Sequence, residues 1–198
     1  MKKIILLPLY FLSVFLTAAA QQPAMLSNSG TIYTSKNTNV KSYVNGSAVT
    51  GVPFLFEDWT KGFVTMQDGK TFENYDLKYN IENQTLFFLN GSETFEIDQK
   101  IKEFNLLDNF NLTRRFIYGD IFGKNNKNFY EVAAEHENSQ LLILYIKKPE
   151  TTNEKFTAIT SSKYYVQEIE YFVFDKAQNK LLPYRKAGAE FRALYKLN

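Results

Sequence analysis

The amino-acid sequence predicts a mainly β fold, an antiparallel meander of about ten strands with a short C-terminal helix. Three observations predict it. Apolar residues recur at every second position: Tyr75, Leu77, Tyr79 and Ile81 fall on one face, and Asp76, Lys78 and Asn80 on the other. Turn signals follow one another at short intervals, at Asp68-Gly69, Asn83-Gln84, Asn90-Gly91 and Asn138-Ser139, which is the spacing of consecutive hairpins. Aromatic residues make up 16% of the chain, mostly Phe and Tyr, and these suit pleated, half-buried surfaces. A sandwich, a strongly curled sheet and a partly closed barrel all satisfy the pattern.

Gly51 to Phe56 is apolar, but Pro53 argues against a central strand, so this segment is expected as an edge tucked under the domain. Phe63 to Met66 is the first regular strand. Asp68-Gly69 turns it, because a tight hairpin needs backbone with positive φ. The Tyr75–Ile81 strand follows. Glu82-Asn83-Gln84 then leads into Thr85–Leu89, Asn90-Gly91 into Glu93–Ile97, and Ile101–Leu106 adds a further strand. Residues 107–128 are less regular, with a short strand at Phe116–Tyr118 and a loop at 123–126. Phe129–Glu135 and Leu141–Ile146 are joined through Asn138-Ser139, and the second is apolar on both faces, hence central. Residues 147–161 are polar and expected as loop. Tyr164–Phe174 is a long strand connected by Ala177-Gln178-Asn179 to Lys180–Tyr184. Ala187–Tyr195 has helical spacing, with Phe191, Leu194 and Tyr195 on one stripe.

The first twenty residues read as an export signal: Lys2 and Lys3, an apolar run from Ile4 to Leu16, then Ala18-Ala19-Ala20 before a cleavage point at Gln21. That run would span about 20 Å as a helix, short of a ~30 Å hydrocarbon core, so no transmembrane span is expected after cleavage. Residues 21–50, rich in Ser, Asn, Thr and Gly, are expected as a flexible lead-in with one short strand near Thr31–Thr34, and residues 51–198 as one β-rich domain. Of 23 basic and 21 acidic residues, two lysines lie in the leader, so the mature chain is formally neutral. Neutrality removes a general electrostatic case for nucleic acid or anionic membrane. With no cysteine there are no disulfides, and stability rests on the core.

The order of leader, Gly-x-Pro-aromatic entry (Gly51-Val52-Pro53-Phe54), Asp-Gly-Lys turn (Asp68-Gly69-Lys70) and successive hairpins resembles small exported proteins of Gram-negative bacteria. The resemblance implies a periplasmic, cell-surface or secreted β protein and carries no functional residues with it.

Reactive chemistry is sparse. Glu135-His136-Glu137 is the one cluster of ligand-type residues, and on a strand His136 faces away from both glutamates, so no metal site is expected there. Asp108, Asn109, Asn111 and Asp120 offer calcium-type oxygens without EF-hand spacing. No Cys, Gly-x-Ser-x-Gly elbow or P-loop is present. Arg114-Arg115 and Lys147-Lys148 split across strand faces. The Asn-x-Ser/Thr triplets at Asn45, Asn83, Asn90 and Asn111 read as turn chemistry. Glu57 and Asp58 beside Trp59 are the acid pair closest to a sugar-stacking ring. Trp59, Tyr75 and Tyr79 are the candidate binding residues, with a core role for the tyrosines as the competing reading.

The expected function is therefore a non-enzymatic exported β domain, without cofactor, that binds an envelope partner protein or an apolar small molecule. The alternatives are a carboxylate-based hydrolase of glycan or peptidoglycan, and a structural accessory of a surface assembly. A carrier needs an enclosed volume, whereas a partner binder needs a free edge or apolar patch.

Overall fold

The computed structural model describes residues 33–35, 43–44, 47–97, 100–123, 125–151 and 163–195. The predicted leader, most of the lead-in and residues 152–162 lie outside them. The described residues form one open sheet and a short C-terminal helix. The strands are β1 (Tyr33–Ser35), β2 (Tyr43–Val44), β3 (Ser47–Thr50), β4 (Thr60–Met66), β5 (Thr71–Asn80), β6 (Thr85–Asn90), β7 (Glu93–Ile97), β8 (Ile101–Leu107), β9 (Thr113–Tyr118), β10 (Phe129–His136), β11 (Ser139–Thr151), β12 (Lys163–Asp175) and β13 (Lys180–Pro183); the helix is α1 (Ala189–Tyr195). Their order is β1-β7-β6-β5-β4-β8-β9-β10-β11-β12-β3-β2, and β13 also pairs with β12. All pairings are antiparallel except β3 with β12. The predicted meander is thus present, as an open sheet rather than a sandwich or closed barrel.

The sheet must curl. β7 and β8 lie four lanes apart, about 19 Å across a flat sheet at ~4.8 Å per lane, yet four Cα steps join Ile97 to Ile101 and span at most about 14 Å. Bulges in β4 and β10 add local twist. The curl brings β5–β7 over β8–β11 and encloses the main core, in which Tyr79, Phe104, Phe116 and Phe129 meet ring to ring. Phe116 points into this core and the next residue, Ile117, into a second cluster on the outer face with Tyr130, Leu142 and Leu144. Phe122, and Phe172 and Phe174 from β12 of the same sheet, pack against this cluster.

Gln84 joins the two halves. In left-handed backbone at φ 56°, its amide donates to Ile81 O and Tyr145 O, and its oxygen accepts from Tyr79 Oη and the Phe129 N–H. The turn predicted at Glu82-Asn83-Gln84 therefore fastens the β5–β6 hairpin to β10 and β11.

Two expectations need correction, and one polar face is more buried than its composition suggests. Residues 147–151 are strand, because β12 is long enough to pair with β11 as far as Thr151↔Lys163, and ladder bonds override polar composition. The face of Asp76, Lys78 and Asn80 is not solvated throughout: Lys78 and Asn80 are buried, since residues 53–59 cross over them. In α1, Tyr195 is buried and Phe191 half-buried, but Leu194 is exposed: the helix rests on Leu141 and Val173 along a stripe that excludes it.

Gly62 marks the tightest approach between strands. A Cβ there would stand 2.1 Å from the backbone oxygen of Asn105. Because that atom belongs to the β8 ladder, it cannot rotate aside, so Gly62→Ala is expected to cost about 3 kcal/mol in urea unfolding. A loss under ~0.5 kcal/mol would show that the ladder yields.

Candidate functional site

Residues 51–59 extend β4's lane along the end of β5. Phe54 bridges Asn80, the Leu55 N–H donates to Tyr79 O, and the Ile81 N–H donates to Pro53 O. The segment pairs with the end of β5 through one isolated bridge and is not a regular strand. Its position is held by cations. Lys147 Nζ donates to the carbonyls of Val52 (3.1 Å) and Phe54 (2.6 Å). Lys78 lies against the rings of Phe54 and Trp59, at 4.7 and 5.5 Å from their centroids. Arg114 lies against Phe56, Phe116 and Tyr145. It also forms a two-pronged bond with Glu131, which accepts from Tyr145 Oη at 2.7 Å. Burial pushes both lysines below their ordinary value, opposed by Asp58 and Glu57 for Lys78 and by Glu57 for Lys147.

Lys78 thereby couples stability to pH. The folded lysine binds its proton less tightly than the unfolded one, so the unfolded chain holds more protons as pH approaches 10.5, and stability rises with pH through that window. Lys78→Met is expected to stabilise the fold at neutral pH and to lose that advantage as pH nears 10.5. Urea unfolding at several pH values checks this, and a gain independent of pH would contradict it.

The sequence candidates do not converge. Tyr79 is 1% exposed and hydrogen-bonded inside the ring core. Tyr75 packs edge-on against Phe72 and Phe88 on that same inner side. Trp59 lies on the opposite face of β5, with Lys78. Glu57 and Asp58 are exposed. His136 packs on Tyr195, while Glu135 is engaged by Lys176 and Gln140, which hold its carboxylate below the usual range, Lys176 contributing most. Asp108 accepts from the Phe110 and Leu112 N–H groups, and Asp120 from Gln67.

A different place is built like a binding site: the outer edge of β12. β11 and β12 pair without a register shift from Ser139↔Asp175 to Thr151↔Lys163, which leaves β12 regular and free of bulges along that ladder. Beyond it, the next lane is only partly filled. β3 occupies it at Lys163 and Tyr164, until Gly51, at φ 94°, turns the chain away. β13 occupies it from Asp175 back to Phe172, where Pro183 ends the ladder and a 3-10 turn at Tyr184–Lys186 departs. Between them, among the described residues, no strand pairs with the outward edge of Val166–Tyr171.

A groove of about 530 Å³ opens there, lined by Glu168 to Phe172 on one side and Pro183 to Arg185 on the other. A groove over a sheet face is lined by alternate residues; five consecutive ones mean that it runs along the strand edge. Ile169 and Tyr171 are 46% and 39% exposed. Glu168 is bound to Lys148 at 2.8 Å. Glu170 is exposed, faces Leu144 across the ladder, and has no ion-pair partner among the described residues.

No protein-family model, curated protein or solved structure matches the chain. Among the described residues, no helix is long and apolar enough to cross a membrane.

Sequence reading missed the β12 edge because alternation marks a strand without saying which side is paired. The signals were nevertheless present. Pro183 ends one neighbouring strand and Gly51 the other.

Proposed function

We propose that this chain is an exported, non-enzymatic β domain that binds a protein partner by accepting an extended segment as an added strand beside β12. The observation that carries the reading is the lane along Val166–Tyr171, unfilled among the described residues, about 20 Å of regular edge between two occupied ends. Main-chain hydrogen bonds would supply affinity, and the exposed Ile169 and Tyr171 would supply apolar contact. The exported setting rests on the Lys2-Lys3 start, the Ile4–Leu16 run and Ala18–Ala20.

The packing favours this over an apolar-ligand carrier. The volume inside the curl is filled by Tyr79, Phe104 and Phe116, each exposed by no more than 1%, and the grooves open to solvent. It also favours binding over hydrolysis. Acid catalysis needs a desolvated carboxyl, and of the two acids in the groove Glu170 is exposed and Glu168 ion-paired.

Hydrogen exchange tests the proposal. A capped neutral peptide alternating threonine and valine is expected to slow exchange within Val166–Tyr171. Methylating the alternate peptide nitrogens that face β12 is expected to abolish the effect, while methylating the other set leaves it. Exchange along this edge that no such peptide changes would overturn the reading.

A further inference from the structure

The charges on β12 go further and select the partner. We infer that the added strand alternates basic and apolar residues, with Lys or Arg on the face of Glu168 and Glu170 and apolar side chains on the face of Ile169 and Tyr171. This rests on the strand-addition reading and specifies its chemistry.

Strand geometry supplies the first step. Residues opposite one another across a ladder point to the same face, so the neighbours of Glu168 and Glu170 lie on one side of the incoming strand and those of Ile169 and Tyr171 on the other. From the β11 side, Glu168 has Lys148 as a diagonal cation, but Glu170 faces Leu144. Lys148 reaches Glu170 only through its field and is bonded to Glu168, so a cation directly opposite Glu170 would come from the lane that is unfilled among the described residues. Arg185, two residues past Pro183, lines the groove across from Glu168 to Phe172 and adds one cation to it.

The same charges exclude a second copy of this chain. Two β12 edges meeting antiparallel about a two-fold axis keep their faces, so glutamates can meet only residues on the glutamate face. The registers centred from Glu168 to Glu170 place Glu168 against Glu168, Glu168 against Glu170, or Glu170 against Glu170 of the other copy, and those centred on Gln167 or Tyr171 run into lanes that β3 and β13 already occupy. Like charges directly opposite destabilise a ladder, and charged edges are a common device against self-pairing. The occupant is therefore a different chain with a basic-apolar alternation.

The test compares three capped peptides on the full chain: valine alternating with lysine, with threonine, and with glutamate. By anisotropy, the lysine peptide is expected to bind about tenfold tighter than the glutamate peptide at low salt, with the gap narrowing as salt rises. Glu170→Lys is expected to shrink or reverse that ratio while the threonine peptide binds as before. Equal affinity for lysine and glutamate peptides, a ratio that Glu170→Lys leaves unchanged, or a stable homodimer that protects Val166–Tyr171 would overturn the inference. If the threonine and lysine peptides both fail to protect the edge, strand addition itself falls, and the two failures are thereby distinguished.

Discussion

Phe104→Ala is expected to lower stability by about 3–5 kcal/mol, a large part of the ~5–15 kcal/mol typical of a whole domain. Phe104 is fully buried. Its ring stacks on Phe116 at 4.8 Å and receives the edges of Tyr79 and Phe129, both at 5.1 Å. These rings come from β5, β8, β9 and β10, so one deletion opens a cavity shared by four strands. Those strands are tied into ladders and can close it only in part. Phe110 provides the control. It is the same residue type, 82% exposed at the tip of the β8–β9 loop, and Phe110→Ala is expected to change stability by no more than ~0.5 kcal/mol. Urea unfolding of both variants decides the matter. Equal losses would mean that the curled half of the sheet does not pack as described.

The second large effect is expected at Arg114. Its side chain is 18% exposed and that of Glu131 is 12%. Arg114→Ala removes both bonds to the carboxylate and leaves Glu131 buried with the Tyr145 hydroxyl as its remaining partner. An uncompensated buried charge of this kind costs about 3–5 kcal/mol. The double variant Arg114→Met, Glu131→Gln should recover more than half of the loss, because the amide still accepts from Tyr145 and no charge is left unpaired. A double variant no better than the single one would show that Arg114 acts by packing against Phe56, Phe116 and Tyr145 rather than by charge.

Much of the fold was legible from local pattern. Glu93–Ile97 and the Asp68-Gly69 turn stand where alternation and turn chemistry place them, with Gly69 at φ 89°. Local pattern failed where a distant neighbour made the decision. Lys147 to Thr151 read as loop because their side chains are polar, yet β12 gives their backbone a ladder to complete. Lys78 falls on the polar face opposite Leu77 and Tyr79, yet Phe54 and Trp59 cover it from a segment some twenty residues upstream. The candidate binding residues diverged for the same reason: Tyr75 and Tyr79 share the inner side of β5, whereas Trp59 comes from the segment before β4 and covers the opposite face.

By itself, the sequence determined the strand class, the hairpin turns and the scarcity of reactive groups. Each of these depends on side-chain type, two-residue periodicity and backbone freedom at a few positions. Only the tertiary structure decided that the sheet curls over its own first half, that three cations are recessed beneath residues 51–59, and that, among the described residues, β12 keeps an open lane between Gly51 and Pro183. The reason is physical. Which backbone edge is paired and which is left vacant depends on hydrogen bonds between segments far apart in the chain, and a period-two pattern is the same on either side of a strand.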